Sequence, residues 1–256
     1  MKEKQGKIGF DRALKLRWLN ATAEWTAHGF SPNEIRVRLD QLLEGEVAGE
    51  DSRSAKGKTK TVLLHIWTLV PDHLKPLRNE GLGLIGELPP NNQLAVHWGM
   101  CLATYPFFRV VVEATGRLIK LQREFTKAQI QRRVEEVYGT RETVTRATRR
   151  VLQSLVEWDA LVEDKERGLY QANSLLNIAN AKLAIWMTEA ILASSDFSSA
   201  TLTAVTQSPA LFPFILTSLN PRDIEANERL ELLRYGLDQE FVKLRERGRE
   251  SELSVG

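Results

Sequence analysis

The chain has 256 residues, 43% of them apolar and 27% charged, and a net charge of +2 at neutral pH. A chain of this length and composition can bury a substantial core, as one large domain or two to three small ones. The single cysteine, Cys101, excludes an intrachain disulfide framework, and the lack of a run of about 18 apolar residues excludes a membrane span. We therefore expect a cytoplasmic protein without membrane contact.

Positive charge is concentrated in one part of the chain. Residues 117–150 contain ten lysines and arginines against four glutamates, a net charge of +6. Residues 221–256 have a net charge of −2, with seven basic and nine acidic side chains. A basic region on a nearly neutral chain is typical of a specific nucleic-acid site, so the distribution of charge is more informative than its total.

The N-terminal region is predicted to begin with a helical hairpin between residues 10 and 45. Apolar residues recur at steps of three and four over 10–28, which indicates an amphipathic helix. Residues 31–34, S-P-N-E, then form a capping box that starts a second helix. The pair is either a packing element or a second helix-turn-helix that exposes Arg36 and Arg38.

The next stretch, residues 45–60, is predicted to be a loop because it has no apolar periodicity and changes from acidic to basic. Its basic side chains are either secondary phosphate contacts or a solvated surface. They are Arg53, Lys56, Lys58 and Lys60.

Four helices separated by prolines are predicted next, at 60–69, 72–86, 92–103 and 106–121. Residues 81–86 match G-x-G-x-x-G, but no strand precedes them and two prolines come after them. We therefore predict a turn or a loose helix end there and no dinucleotide site. His65 and His97 have no partner at metal-ligand spacing, so we interpret both as core or satisfied polar residues. No metal site or cofactor is predicted.

Residues 126–157 are predicted to form two helices joined by a tight turn. Thr126 and Gln129 make a capping box, Gly139 supplies the turn, and Thr140 can cap the second helix. The first apolar stripe contains Ile130, Val134, Val137 and Tyr138, and the second contains Val144, Ala147, Val151, Leu152 and Leu155. At about 100° per residue, the face opposite the second stripe contains Glu142, Arg146, Arg149, Arg150 and Gln153, flanked by Thr143 and Thr145.

Two short strands are predicted after these helices, at 160–163 and 168–171, with a charged turn between them. Two closely joined helices and a hairpin indicate a winged helix-turn-helix whose second helix reads duplex DNA. Arginine can pair with guanine, and hydroxyl groups suit phosphates. The predicted DNA-binding residues are Lys127, Arg141, Thr143, Thr145, Arg146, Arg149, Arg150, Gln153, Lys165 and Arg167. The alternative is a structural winged helix with a solvated arginine face, and Glu142 and the charge-neutral wing weigh against tight binding.

The C-terminal region is predicted to be helical. A mostly apolar helix is expected at 174–193 and a further helix or two within 198–219. Residues 228–245 suit either a helix or a hairpin, and 246–256 a disordered tail. The predicted fold is mainly α and multi-helical with an embedded winged helix, and the predicted domains are 1–122, 123–173 and 174–256.

The order of these parts resembles the BrxA family of BREX phage-defence systems, small all-helical DNA-binding proteins with winged-helix character. The resemblance covers roughly residues 10–172 and depends on the segments SRSAKGKTK, ATYPFFR, FTKAQI and TRETVTRATRRVLQSLVEWDALVE. It implies a non-catalytic accessory protein that works with double-stranded DNA and other defence proteins. The last 80 or so residues go beyond that family's pattern. The alternatives are a transcriptional regulator and a protein-interaction scaffold, and the sequence leaves the oligomeric state open.

Overall fold

A computed structural model of the chain describes residues 8–195, 197, 199–217, 219–235 and 239–245, and this part is mainly helical, as predicted. The first half contains α1 (Leu16–Ala27), α2 (Pro32–Leu42), α3 (Ala55–Trp67), α4 (Lys75–Glu87), α5 (Pro90–Thr104) and α6 (Pro106–Leu121). The middle contains β1 (Glu124–Thr126), α7 (Lys127–Tyr138), α8 (Glu142–Glu157), β2 (Leu161–Asp164) and β3 (Leu169–Ala172). The remainder contains β4 (Leu176–Ile178), α9 (Ala181–Ser194), β5 (Ser199–Thr201), α10 (Leu202–Thr206), β6 (Phe214–Leu216), α11 (Pro221–Glu225), β7 (Leu230–Tyr235) and β8 (Gln239–Leu244).

The N-terminal hairpin of α1 and α2 forms as predicted, but its first helix is shorter. The capping box that starts α2 is present, since Ser31 N donates to Glu34 (2.8 Å) and Glu34 N donates to Ser31 Oγ (3.3 Å). Helix α1 begins at Leu16, and the residues before it are not helical. The reason is tertiary: Leu14 N donates to Ser154 Oγ (2.9 Å), and its carbonyl accepts from Trp158 Nε1 (2.8 Å). These two hydrogen bonds hold the segment before α1 against the C-terminal end of α8.

The predicted loop at 45–60 is wrong in its second half, which belongs to α3. Ser54 caps this helix by accepting from Gly57 N (3.1 Å). The lysines that obscured the helical pattern lie mostly on its packed side, where Lys56 contacts Glu50 (3.3 Å) and Lys60 contacts Asp40 of α2. A charge on a buried helix face breaks the apolar periodicity on which sequence-based assignment depends.

The prolines do separate the next helices, as predicted. Of the two alternatives predicted for the G-x-G-x-x-G stretch, the turn is wrong, because residues 81–86 form the C-terminal half of α4, which extends to Glu87. Gly81 is buried against α9, where an added Cβ would lie 2.9 Å from Trp186 Cζ2. Glycine there permits close helix packing, and a mid-helix position is not the strand-turn-helix arrangement of a dinucleotide site.

One continuous apolar core connects the three predicted regions across the described residues. Its centre is Trp98 of α5, whose ring makes edge contacts with Phe108, Trp158 and Phe214 at centroid distances of 5.4, 6.1 and 5.5 Å. Trp98 Nε1 donates to the carbonyl of Ala210 (2.9 Å), so its polar atom is also satisfied. These contacts pack the C-terminal end of α8 and strand β6 against α5 and α6.

The middle region arranges a helix, a strand, two helices and a hairpin in sequence. Strands β1, β2 and β3 form an antiparallel sheet in the order β1-β3-β2, with Phe125 opposite Tyr170 and their rings stacked at 5.7 Å. The predicted hairpin at 160–171 is therefore present, and the edge strand β1 is an addition that the sequence did not predict. Gly139 ends α7 with a φ of 77°, which glycine adopts without strain.

The predicted helix at 174–193 is present as α9, but it begins at Ala181, and Leu176–Ile178 before it form β4. The further helix predicted within 198–219 is present as α10, whereas Ser199–Thr201 and Phe214–Leu216 are strands. Strand β4 pairs in parallel with β6, and β5, β8 and β7 form an antiparallel sheet. Within 228–245 the described residues pair as the hairpin strands β7 and β8 and not as a helix, since Leu232 lies opposite Val242. The bend at 236–238 and the predicted disordered tail at 246–256 lie outside the described residues. Within the described residues, no helix has both the length and the apolar character that crossing a membrane requires.

The two histidines differ. His65 is exposed, which excludes the core alternative for that residue, whereas His97 is completely buried. Trp67 Nε1 donates to His97 Nδ1 (3.1 Å), which leaves His97 Nε2 to donate to Asn20 Oδ1 (2.6 Å). Burial lowers the pKa of His97 to about 3, so the ring is neutral and links α1, α3 and α5.

Acidification is expected to destabilise the protein through His97. Its pKa is lowered only in the folded state, so below its ordinary pKa of about 6.5 the unfolded chain binds a proton that the folded chain does not. The free energy of unfolding should fall by about 1.4 kcal/mol per pH unit from this group as the pH drops below about 6. Denaturant unfolding between pH 7 and 4.5 measures this slope. His97→Gln should be less stable at pH 7 and show a shallower slope; equal slopes in the two proteins would contradict the assignment.

Candidate nucleic-acid interface

Helix α8 is held in place by its predicted apolar stripe. Val144, Ala147, Val151, Leu152 and Leu155 are all completely buried. Two details of the helix pair differ from prediction. Helix α8 begins after Arg141 without a side-chain cap, so Thr140 does not cap it, and Val137 is 58% exposed because it lies just outside the buried arc of α7.

The opposite face of α8 presents polar side chains, as the spacing predicts. Glu142, Thr143, Arg146, Arg149 and Gln153 are exposed, and Arg141 and Arg150 are half-buried. The nearest acidic neighbour on this face is Glu142, which lies 3.7 Å from Arg146 across one helical turn. Because both side chains are largely solvated, this pair holds Arg146 only weakly.

Thr145 does not belong to this face. Its hydroxyl accepts from Gln131 Nε2 (3.1 Å) and lies 3.4 Å from Glu135 Oε1, both on α7. The hydroxyl therefore links α8 to α7, which leaves Thr145 engaged within the helix pair and not with a phosphate.

The arginine face of α8 lines a cleft that the sequence did not predict, with a volume of about 740 Å³. One wall is α8, and the other is made by the N-terminal segment and α3. We call it the basic cleft. It is lined by Ile8, Gly9, Asp11, Arg12, Ser52, Lys58, Thr61, Val62, Arg141, Thr143, Arg146, Ala147 and Arg150.

The electrostatics of the basic cleft are strongly positive. Its lining contains five cationic side chains and one carboxylate, Asp11. Arg12 donates from Nη1 to the backbone carbonyl of Asp11 (2.9 Å), and its Nη2 lies 3.9 Å from the Asp11 carboxylate. Burial lowers the pKa of Arg150, and the positive charges of Arg149 and Arg12 lower it further. Arginine stays charged in proteins, so the lowered pKa reflects burial first and neighbouring positive charge second, and not a loss of charge.

The basic residues predicted as secondary phosphate contacts separate into three cases. Lys58 is exposed and lines the basic cleft. Arg53 is exposed in the loop before α3 and does not line it. Lys56 and Lys60 are buried against carboxylates, so the prediction that they reach phosphates is wrong.

The hairpin and the start of α7 lie apart from the basic cleft. Lys127 and Lys165 are exposed, as their predicted role requires. Arg167 instead holds Glu124 of β1 with two hydrogen bonds (2.9 and 3.2 Å), and this interaction raises the pKa of Arg167. Its charge is therefore partly compensated, in agreement with the neutral wing predicted from the sequence.

Sequence reasoning missed Arg12. It lies about 130 positions before the arginines of α8, in a segment that the periodicity assigned to a helix. No local pattern distinguishes it from other basic residues near the N-terminus. Tertiary contacts bring it to the site: Leu14 is hydrogen-bonded to Ser154 and Trp158 at the end of α8, and Phe10 packs on Tyr105 and Phe108.

The described residues give no support to metal or thiol chemistry at this surface. No group of three or more His, Cys, Asp or Glu side chains in this part of the chain could hold a metal ion. Cys101 is completely buried, and burial raises the pKa of its thiol well above the usual range, so it is an inert packing residue.

Comparison with protein-family models, curated proteins and solved structures finds no match to this chain.

Proposed function

We propose that this protein is a non-catalytic, duplex-DNA-binding protein that contacts DNA through a winged helix-turn-helix formed by α6, β1, α7, α8, β2 and β3. The order of these elements and the sheet order β1-β3-β2 support the assignment. In such a domain the second helix of the pair enters the major groove and the hairpin lies beside it. In this chain the second helix of the pair is α8, so α8 is the helix proposed to enter the major groove.

The observation that carries the proposal is the exposed arginine face of α8. Arg146, Arg149 and Gln153 project from the side of the helix opposite its buried stripe. Arginine and glutamine can each make paired hydrogen bonds to base edges, worth roughly 1–3 kcal/mol of discrimination per contact. Thr143, also exposed, is suited to a phosphate.

The resemblance to BrxA proteins adds a biological setting to the proposal. In that setting the chain is an accessory protein of a BREX-like phage-defence system, and its partners are double-stranded DNA and other defence proteins. A neighbouring methyltransferase and a large ATPase in the genome would favour this setting over a winged-helix transcriptional regulator.

A protein-interaction scaffold is the second candidate, and two exposed aromatic side chains favour it. In the C-terminal region, Phe197 is 75% exposed and Tyr235 is 61% exposed. Aromatic side chains are enriched at protein interfaces. This candidate predicts a protein partner and no affinity for duplex DNA.

Replacing two arginines of α8 tests the proposal. The wild type should bind duplex DNA at low salt and, with about six phosphate contacts, lose roughly a thousandfold in affinity between 50 and 200 mM salt. Arg146→Gln/Arg149→Gln should weaken binding by roughly 100-fold or more, because each lost base contact is worth about 1–3 kcal/mol. Fluorescence anisotropy with labelled duplexes gives both results.

The matched control removes the same charge elsewhere. Arg222→Gln/Lys75→Gln changes two exposed cations of α11 and α4 and should bind within about threefold of the wild type. If both double variants lost the same affinity, net charge and not α8 would be responsible. If the wild type bound no duplex at low salt, the scaffold candidate would replace DNA binding.

A further inference from the structure

The basic cleft has two cationic walls that come from distant parts of the chain. Arg141, Arg146 and Arg150 belong to the helix pair, whereas Arg12 and Lys58 belong to the N-terminal segment and α3. A winged helix that used only α8 would not need the second wall. The cations of the second wall therefore indicate a ligand group other than the duplex that α8 is proposed to contact.

The second wall is a fixed part of the structure. The backbone of Leu14 is hydrogen-bonded through its N to Ser154 and through its carbonyl to Trp158. Lys60, in the same helix as Lys58, is buried and paired with Asp40 of α2. Arg12 and Lys58 therefore stay opposite α8 without a conformational change.

The donors in the basic cleft exceed the acceptors available to them. Arg12 Nε is buried and makes no hydrogen bond within the described residues. Asp11, the one carboxylate that the described residues contribute to the lining, already contacts Arg12. Thr143, Ser52 and Thr61 add hydroxyl groups that can donate. A cleft of this kind matches a ligand made of acceptors with repeated negative charge, which is a phosphodiester backbone.

The volume of the basic cleft favours a single strand over a double helix as its ligand. Its volume of about 740 Å³ lies within the range of small-ligand sites, roughly 300–1,000 Å³. A duplex is far larger, whereas two or three nucleotides of one strand are comparable in size. Among the described residues, the lining contains no aromatic side chain on which bases could stack, so the inferred contacts are to the backbone.

We propose that the basic cleft binds the backbone of an unpaired strand that continues from the duplex held by α8, with Arg12 and Lys58 each contacting one phosphate. This inference rests on the proposed function, since α8 supplies both the duplex contact and one wall of the cleft. It makes a duplex with a single-stranded end, and not a blunt duplex, the preferred ligand.

The test compares a blunt duplex of about two helical turns with the same duplex carrying an unpaired end of about six nucleotides, at either the 5′ or the 3′ terminus. The wild type should bind one tailed duplex roughly tenfold tighter than the blunt one. The slope of log affinity against log salt should be steeper by about 1.4 for two added single-strand contacts. Arg12→Gln/Lys58→Gln should lose both differences and keep its affinity for the blunt duplex within about threefold.

The outcomes separate this inference from the proposed function. Wild type that binds neither duplex rejects the proposed function. Wild type that binds blunt and tailed duplexes equally rejects the cleft assignment alone. Arg222→Gln/Lys75→Gln should retain the preference for the tail, and loss of the preference in that variant would attribute it to net charge. Displacement of the tail by polyglutamate or by a nucleoside triphosphate, at equal negative charge, would assign the cleft to an acidic protein segment or a free nucleotide and overturn the inference.

Discussion

Arg229→Met is expected to lower the free energy of unfolding at pH 7 by about 3–5 kcal/mol. Arg229 donates from Nε to both carboxylate oxygens of Glu189 (2.8 and 2.9 Å) and from Nη2 to Glu80. The Glu189 side chain is only 7% exposed, and Glu80 is 24% exposed. Methionine has a similar length and no charge, so two carboxylates would remain close together with little solvent.

The dependence of this loss on pH identifies its cause. Without the guanidinium, burial and mutual repulsion favour the protonated form of one carboxyl, so the deficit should shrink as the pH falls from 7 to 5. Denaturant unfolding at both pH values measures the change. The wild-type acid sensitivity from His97 has the opposite sign, so the variant must be compared with wild type at each pH.

Arg234→Met is the matched control, because Arg234 is also paired with two carboxylates, Glu225 (2.9 Å) and Glu240 (3.4 Å). Its side chain is 58% exposed, and exposed pairs contribute about 0–1 kcal/mol. The two arginines thus differ mainly in the solvation of their partners. Equal losses in the two variants would show that burial of Glu189 does not determine the effect.

Gly116→Ala is expected to destabilise the protein by about 3 kcal/mol, although alanine normally favours a helix over glycine. Gly116 lies in α6 beneath the short 3₁₀ helix Pro209–Leu211. An added Cβ would lie 2.1 Å from the carbonyl oxygen of Pro209 and 3.1 Å from Phe212 Cβ. The obstacle is backbone, so relief requires the two elements to separate.

Gly83→Ala provides the opposite result within the same fold. Gly83 is exposed in α4, and nothing lies within 4 Å of an added Cβ. This substitution should raise the free energy of unfolding by about 0.5–1 kcal/mol through helix propensity. Thermal unfolding of both variants measures the contrast. A neutral or stabilising Gly116→Ala would mean that α6 and the 3₁₀ helix are not in close contact in solution.

Much of the helical structure could be predicted because its signals are local. Pro90 and Pro106 begin helices at the positions where the missing amide costs nothing. Ser31 and Thr126 start helices through capping boxes made within four residues. The buried stripe of α8 is a direct consequence of the helical period. The exposed arginine face was predictable for the same reason.

The failures concern residues whose assignment depends on contacts that form only in the folded chain. Residues 228–245 contain apolar positions that suit both a helix and a strand, and only the pairing of β7 with β8 decides. The 45–60 stretch looked like a loop because Lys56 and Lys60 are charged, although both are buried beside carboxylates. Neither pairing leaves a local pattern.

The sequence by itself determined where most helices begin and end and which side of α8 carries Arg146 and Arg149, because backbone sterics, capping and the 3.6-residue period act over a few residues. Only the tertiary structure determined which residues lie opposite that face. Leu14 N donates to Ser154 Oγ, and Trp158 Nε1 donates to the Leu14 carbonyl. These bonds help to place Arg12 opposite α8, so that the arginine-bearing face of the helix becomes one wall of a cleft. The physical reason is that such a contact depends on the packing of the whole core, and no stretch of the chain encodes it alone.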